Sequence, residues 1–146
     1  MKVFVTGGNG FVGLNIVSAL VEAGHDVTAI VRAGSNTNYL EPFGTRIVRG
    51  ELNDADTLAE AMRGAEAVIH TAGNTSCDWR DLPQLEAVNV IGTQHVVDAA
   101  IAVGARRLVF TSTTSTIGAY NDPTRRADES VPLVGFRARS PYGATK

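Results

Sequence analysis

Residues 6–13 read Thr6-Gly7-Gly8-Asn9-Gly10-Phe11-Val12-Gly13, and this stretch decides how the rest of the 146-residue chain is read. In front of it stands Lys2-Val3-Phe4-Val5, a short apolar run of strand-forming residues. Behind it, residues 11–23 have the spacing of a helix. Strand, glycine turn and helix in that order is the context in which glycines serve a dinucleotide. Glycine opens backbone angles closed to other residues and lets the main chain approach a pyrophosphate. The free N–H groups of Phe11, Val12 and Gly13, with the positive end of the helix dipole, would then face the phosphates. Two spacings overlap, Gly8-x-Gly10-x-x-Gly13 and Gly7-x-x-Gly10-x-x-Gly13. Gly10 and Gly13 serve in both, for close phosphate approach and close helix–strand packing.

Outward from this turn the chain keeps alternating. The first helix carries Phe11, Leu14, Ile16, Val17, Leu20 and Val21, spaced for one wide buried face, and Gly24 ends it. A strand follows over 26–31, then a polar loop over 33–44 and a short strand over 46–50. Asp54 opens a helix to about 63, with Leu58 and Met62 on one face. Next come a strand over 67–71, a long polar loop over 72–83, and a helix over 84–103 loosened at Gly92. The fifth strand is 107–112, and residues 113–141 are loop-rich. This alternation predicts an α/β fold, a doubly wound parallel sheet of the Rossmann kind with right-handed crossovers and strand order 3-2-1-4-5. The sequence reads as one domain over 1–146, stopping soon after the fifth strand with no separate substrate-binding region.

Composition narrows the function classes. Hydrophobic residues make up 44% of the chain, enough for a packed core, and the net charge of −2 argues against nucleic acid or an anionic membrane surface as partner. The lone Cys77 excludes an internal disulfide framework and a cysteine-based zinc cluster. His25, His70 and His95 lack metal-ligand spacing, so no metal site is expected. A buried thiol and strand-end histidines are expected instead. No apolar run reaches membrane length, and the first strand begins at once without a leader; a cytoplasmic protein is expected.

In such sheets ligands sit at the carboxyl ends of the strands near the switch in strand order. Arg32 stands at the end of the second strand, where an NAD enzyme would offer an acidic side chain to the ribose 2′-hydroxyl. A guanidinium suits a 2′-phosphate instead, with Ser35 and Asn36 adding hydrogen bonds, so NADP is expected, with NAD as the alternative. Thr71-Ala72-Gly73 ends the fourth strand with little bulk, which lets backbone pack against the cofactor. Glu51 could accept from the adenine amino group while Leu52 covers the ring; a plain helix-flanking charge is the alternative for Glu51.

Tyr142-Gly143-Ala144-Thr145-Lys146 places a phenol and an ammonium on one helix face. The positive charge favours phenolate, so Tyr142 could act as general acid or base on an alcohol or carbonyl. Ser140-Pro141 supplies a helix start. A third hydroxyl is expected from the cluster Ser112, Thr113, Thr114 and Ser115.

These motifs together resemble the extended branch of the short-chain dehydrogenase/reductases, over the whole sequence. Thr6-Gly7-x-x-Gly10-x-x-Gly13 is similar to its cofactor motif, His70-Thr71-Ala72-Gly73 to its fourth-strand motif, and Asn89-Val90-x-Gly92-Thr93 to its central-helix motif. The run from Leu108 to Thr113, with Val31-Arg32, looks most like the dihydroflavonol-reductase and hopanoid-sugar-epimerase-like subgroup. The resemblance implies an oxidoreductase for a carbonyl or secondary alcohol, with a nucleotide-sugar epimerase or dehydratase, or a non-catalytic NADP-binding protein, as alternatives. It further implies Tyr142 as proton donor or acceptor. Lys146 would hold the nicotinamide ribose and tune Tyr142. Thr113 would be the active-site hydroxyl, with Ser112 beside it at the cofactor, and Asn89 would hold the active-site end of the helix. A small-molecule substrate and a homodimer fit this picture. Glu51 departs from the family's usual Asp, and family members continue well beyond the point where this sequence stops.

Overall fold

A computed structural model describes residues 1–120, 122, 124–132 and 140–146. Its strands are β1 (Lys2–Thr6), β2 (Asp26–Val31), β3 (Arg46–Arg49), β4 (Ala67–His70) and β5 (Arg107–Phe110). All pair parallel in the order β3-β2-β1-β4-β5, as the alternation predicts. Helices α1 (Phe11–Glu22) and α2 (Ala55–Met62) connect the first strands. Between β4 and β5 a longer helical run comprises α3 (Leu82–Leu85), a π-helical stretch Glu86–Ile91, and α4 (Gly92–Ala102). A single turn, α5 (Pro141–Ala144), carries Tyr142; the helix closes at Ala144 and Lys146 lies beyond it, so the pair does not share one helix face as the spacing predicts.

The period of two in each strand sorts the core into two layers. Val3 and Val5 face α1 and bury with Val17, Val27, Ala29, Val31 and Leu40. Phe4 faces the other way and buries with Ile30, Leu58, Met62, Val68 and Val96 under α2 and α4. Strands covered on both faces read as near-continuous apolar runs, which is how Val3-Phe4-Val5 and Ala67-Val68-Ile69 read. Helix starts follow local chemistry. Asp54 caps α2 by accepting from the Thr57 N–H at 3.0 Å, and Ser140 caps α5 by accepting from the Gly143 N–H at 3.1 Å.

Several details depart from expectation. Phe11 is 88% exposed rather than part of the buried face of α1, because it occupies the helix's first position, beyond the sheet that covers Val17. Cys77 is exposed, since it sits in the loop after β4 and not in a core layer. The third helical run begins at Leu82, two residues early. Its irregularity lies in Glu86–Ile91, immediately before Gly92. The last strand stops at Phe110; the Thr111 N–H still donates to the His70 carbonyl at 3.0 Å, and the chain leaves the sheet from Ser112. The expected loop over 113–141 holds a short turn at Thr114–Thr116; positions 121, 123 and 133–139 of it lie outside the described residues. No helix among the described residues is long and apolar enough to cross a membrane, and none of their His, Cys, Asp and Glu side chains group as a metal site.

Candidate active site

The glycine turn is built by collision avoidance. Gly7 has φ +70°, and a Cβ there would lie 2.7 Å from the Ala72 nitrogen. The turn is therefore pressed directly against the chain leaving β4. A Cβ on Gly13 would lie 2.1 Å from the Gly7 carbonyl oxygen, so no side chain fits there without moving the backbone. Gly10 differs. Its φ is −82°, and a Cβ would meet only the Gly7 oxygen, at 3.3 Å. A side chain at Gly10 needs the Gly7 carbonyl to give by a few tenths of an ångström and meets no other atom of the chain nearby, so the space around it opens outward. Gly10 also caps α1 without a side-chain bond, and no acidic residue stands in the helix's first turn. The N–H groups there lack an intrahelical partner and face no competing carboxylate from that turn.

A cleft of about 470 Å³ opens along the carboxyl ends of β1 to β4. Of the residues expected at a cofactor, Gly7, Gly10, Arg32, Glu51 and Leu52 line it, as do Thr71, Ala72 and Gly73. Thr6, Phe11, Val12, Gly13, Ser112, Tyr142 and Lys146 do not form its wall. Thr6 is buried behind it and Gly13 packs beneath the turn. The wall also contains Asn74, Thr75, Gln84 and Val88, which sequence reading did not single out. Asn74 and Thr75 directly follow the Thr71-to-Gly73 strand end, and Val88 precedes Asn89; those adjacencies are the signal that could have found them. The cleft meets the test for a dinucleotide: a glycine cradle that a side chain would fill, small residues opposite, and a cation at one end.

Behind the wall runs a hydrogen-bonded chain that ties β1, β4 and α4. The Ala72 N–H donates to Thr6 Oγ1 at 3.2 Å, and Thr6 Oγ1 lies 2.6 Å from His70 Nδ1. On the other edge of the ring, His70 Nε2 lies 2.9 Å from Thr93 Oγ1. His70 is 1% exposed, stacks on Phe110 with centroids 5.4 Å apart, and is pushed down to about 4 by burial and, secondarily, by the Lys146 ammonium. The folded state thus holds His70 neutral, whereas the unfolded chain takes up a proton below about 6.5. Its contribution is fully present above that value and is lost as pH falls toward 4. The whole effect is on the order of 3 kcal/mol. Thermal denaturation should therefore show a falling Tm between pH 6.5 and 4.5. This acid limb should flatten in His70→Gln; the same limb in both proteins would contradict the assignment.

The Tyr-Lys segment lies at the far end of the cleft, reached through Gly73. A Cβ on Gly73 would lie 3.6 Å from Lys146 Nζ and 3.4 Å from Asn89 Oδ1. Lys146 Nζ donates to the Thr111 carbonyl at 3.2 Å and sits 4.5 Å from the Phe110 ring centre; burial lowers its pKa. Asn89 is 4% exposed and fully engaged. Its Oδ1 accepts from the Asn74 N–H at 2.8 Å, and its Nδ2 donates to the Asn74 carbonyl at 2.9 Å and to Thr145 Oγ1 at 3.0 Å. The amide therefore locks the loop after β4 to α5. The π-helical stretch turns Asn89 inward at that point. Thr113 Oγ1 accepts from the Ser115 N–H at 3.3 Å and donates to Ser115 Oγ at 3.4 Å, while Ser112 Oγ lies 3.4 Å from Thr116 Oγ1. Among the described residues, no hydrogen bond joins either hydroxyl to the Tyr142 phenol.

A parallel sheet with a glycine cradle at its order switch and a polar cleft along its strand ends defines a dinucleotide-binding protein of the doubly wound class. The chain belongs to the NAD dependent epimerase/dehydratase family, whose model matches residues 3–146. It is 40% identical over 146 aligned residues to a Synechocystis protein provisionally named as a dihydroflavonol 4-reductase, covering 97% of this chain and 42% of that one. It is 36% identical to the 2-alkyl-3-oxoalkanoate reductase of Stenotrophomonas maltophilia, covering all of this chain and 43% of the relative. Among solved structures it resembles a Stenotrophomonas UDP-glucose-4-epimerase with bound NAD and formylated UDP-arabinopyranose. There the TM-score is 0.87 and the identity 26%, over all of this chain and 45% of that one. The chain thus spans less than half the length of these relatives.

Proposed function

We propose that this chain is the cofactor-binding part of an NADP-dependent oxidoreductase that interconverts a small carbonyl compound and its secondary alcohol. The observation that carries the reading is Arg32: it lines the cleft directly after β2, at the position from which a side chain reads the ribose 2′ substituent. The reductases among the relatives lend support. When bound, the cofactor would supply or accept a hydride. Gly7 and Gly10 would admit its pyrophosphate, Phe11 and Val12 would offer N–H groups, and Gly13 would keep the turn in shape. Glu51 and Leu52 would flank the adenine; Thr71, Ala72 and Gly73 would support the ribose side. Tyr142 would pass a proton to or from the substrate oxygen. Lys146 would hold the nicotinamide ribose, and Thr113, with Ser112 beside it, would orient the substrate oxygen. The side-chain bonds of Thr113 within its own turn are long, at 3.3 and 3.4 Å, so little opposes its turning toward a substrate. Asn89 would keep the Tyr-Lys turn docked. We read residues 1–146 as one domain on this basis.

The test is Arg32→Glu. NADPH affinity should fall about tenfold or more while NADH affinity holds or improves, because a charge-assisted pair with a phosphate is replaced by repulsion. Equal changes for both cofactors, by calorimetry, would show that Arg32 does not read the 2′ position. A second reading, a nucleotide-sugar epimerase with retained NAD, is favoured by the epimerase likeness. Protein that purifies with bound NAD(H) and consumes no added cofactor would select it.

A further inference from the structure

We infer that Arg49, which does not touch the cleft, is a positioning residue that sets the choice between NADP and NAD by holding the loop that carries Arg32. The inference rests on the reading of Arg32 given above. Arg49 ends β3 in register with Val31, and the Gly50 N–H extends that ladder by donating to the Val31 carbonyl at 3.0 Å. Pleating sends Arg49 to the same sheet face as Ile47, the face where α1 and Leu40 pack. Arg32, one residue past Val31, lines the cleft instead. The two cations are therefore neighbours along the chain ends but serve different sides.

On its side, the Arg49 guanidinium grips the loop over 32–37 at three points. Nη1 donates to the Ser35 carbonyl at 2.7 Å and to the Arg32 carbonyl at 3.3 Å, and Nη2 donates to Thr37 Oγ1 at 3.0 Å. The same Arg32 carbonyl also accepts from the Ser35 N–H at 3.1 Å, closing a turn through Gly34 at φ +77°. Thr37 is buried at the loop's far end. One planar fork thus fixes the backbone on both sides of the residues expected at the 2′-phosphate: Arg32, Ser35 and Asn36. A long exposed side chain such as Arg32 gains little from a phosphate unless its backbone is already placed, because ordering it opposes binding. A lysine cannot replace this fork, since one ammonium does not span three acceptors in fixed directions.

The experiment uses the protein at its full encoded length, with dissociation constants for NADPH and NADH measured by titration in wild type, Arg32→Glu, Arg49→Lys and Arg49→Met, and melting curves for each. The preference for NADPH over NADH should fall about fivefold to tenfold in Arg49→Met and by a smaller factor in Arg49→Lys, with NADH affinity unchanged within about twofold. If Arg49→Met fails to fold, Arg49→Lys decides. An unaltered preference in both variants, alongside a reversed one in Arg32→Glu, would overturn the role of Arg49 and leave Arg32 standing. Equal weakening toward both cofactors would also overturn it, reducing the brace to a structural support. A wild type indifferent to the 2′-phosphate, and unmoved by Arg32→Glu, would instead overturn the reading of Arg32, and this inference with it.

Discussion

Tyr142→Phe, in the protein at its full encoded length, is expected to remove turnover while leaving cofactor affinity within about twofold of wild type. Only the phenolic oxygen is lost, and among the described residues that oxygen makes no hydrogen bond whose loss would loosen the fold. The turn that carries it is held elsewhere: by Ser140 at its start, and by the Thr145 hydroxyl, which donates to the Pro141 carbonyl at 3.0 Å and accepts from Asn89. Loss of a positioned proton donor lowers rates by roughly 10²–10⁴-fold. Thr113→Ala should also lower turnover strongly, and Ser112→Ala less. Steady-state reduction of a panel of ketones, with the NADPH dissociation constant measured in parallel, checks this. A Tyr142→Phe protein that still turns over near the wild-type rate would remove Tyr142 from the chemistry. A larger effect at Ser112 than at Thr113 would move the active hydroxyl by one residue.

The second large effect is expected at the glycine turn, where two glycines should fail for different reasons. Gly10→Val should fold, because the backbone at Gly10 is extended and a Cβ there meets only the Gly7 oxygen, at 3.3 Å. Its isopropyl group would occupy the approach to the helix N–H groups, and NADPH affinity should drop by about 100-fold or more, near 3 kcal/mol. In Gly13→Ala the new methyl would lie 2.1 Å from the Gly7 oxygen, so the turn must shift. Overpacking of that kind costs roughly 1–3 kcal/mol, and here both melting temperature and cofactor affinity should fall. Calorimetry with both variants separates the cases. Micromolar NADPH binding by Gly10→Val would remove the phosphate role from the turn, and an undiminished melting temperature in Gly13→Ala would contradict the packing described.

Much of this architecture is legible in the chain because local signals agree. β1 and β2 fall where Val3-Phe4-Val5 and Val27 to Val31 place them, Asp54 and Ser140 cap the helices they precede, and the alternation yields the strand order. The cleft-lining role of Arg32, Glu51, Leu52 and the Thr71-to-Gly73 run follows from strand ends alone. What could not be read depends on tertiary partners. The π-helical stretch has no composition of its own; it accompanies the inward turn of Asn89 onto Asn74, 15 residues away. Arg49 looks like a solvated strand-end charge until the loop over 32–37 folds back across it. Phe11 satisfies a helical apolar spacing yet stays exposed, because spacing says nothing of how far the sheet extends beneath a helix's first turn.

The stretch Glu86–Ile91 has a consequence for lineage as well as for geometry. A π turn holds one residue more than the α turns around it, and each residue of a helix advances about 100°. The segment is thus equivalent to a one-codon insertion into an ordinary helix. With α4 seated on α2 through Val96 and Ala99, the insertion decides which side chain upstream points at the corner shared by Asn74 and Thr145. A sister gene lacking that codon could keep every residue type of the segment and still present a neighbour of Asn89 there.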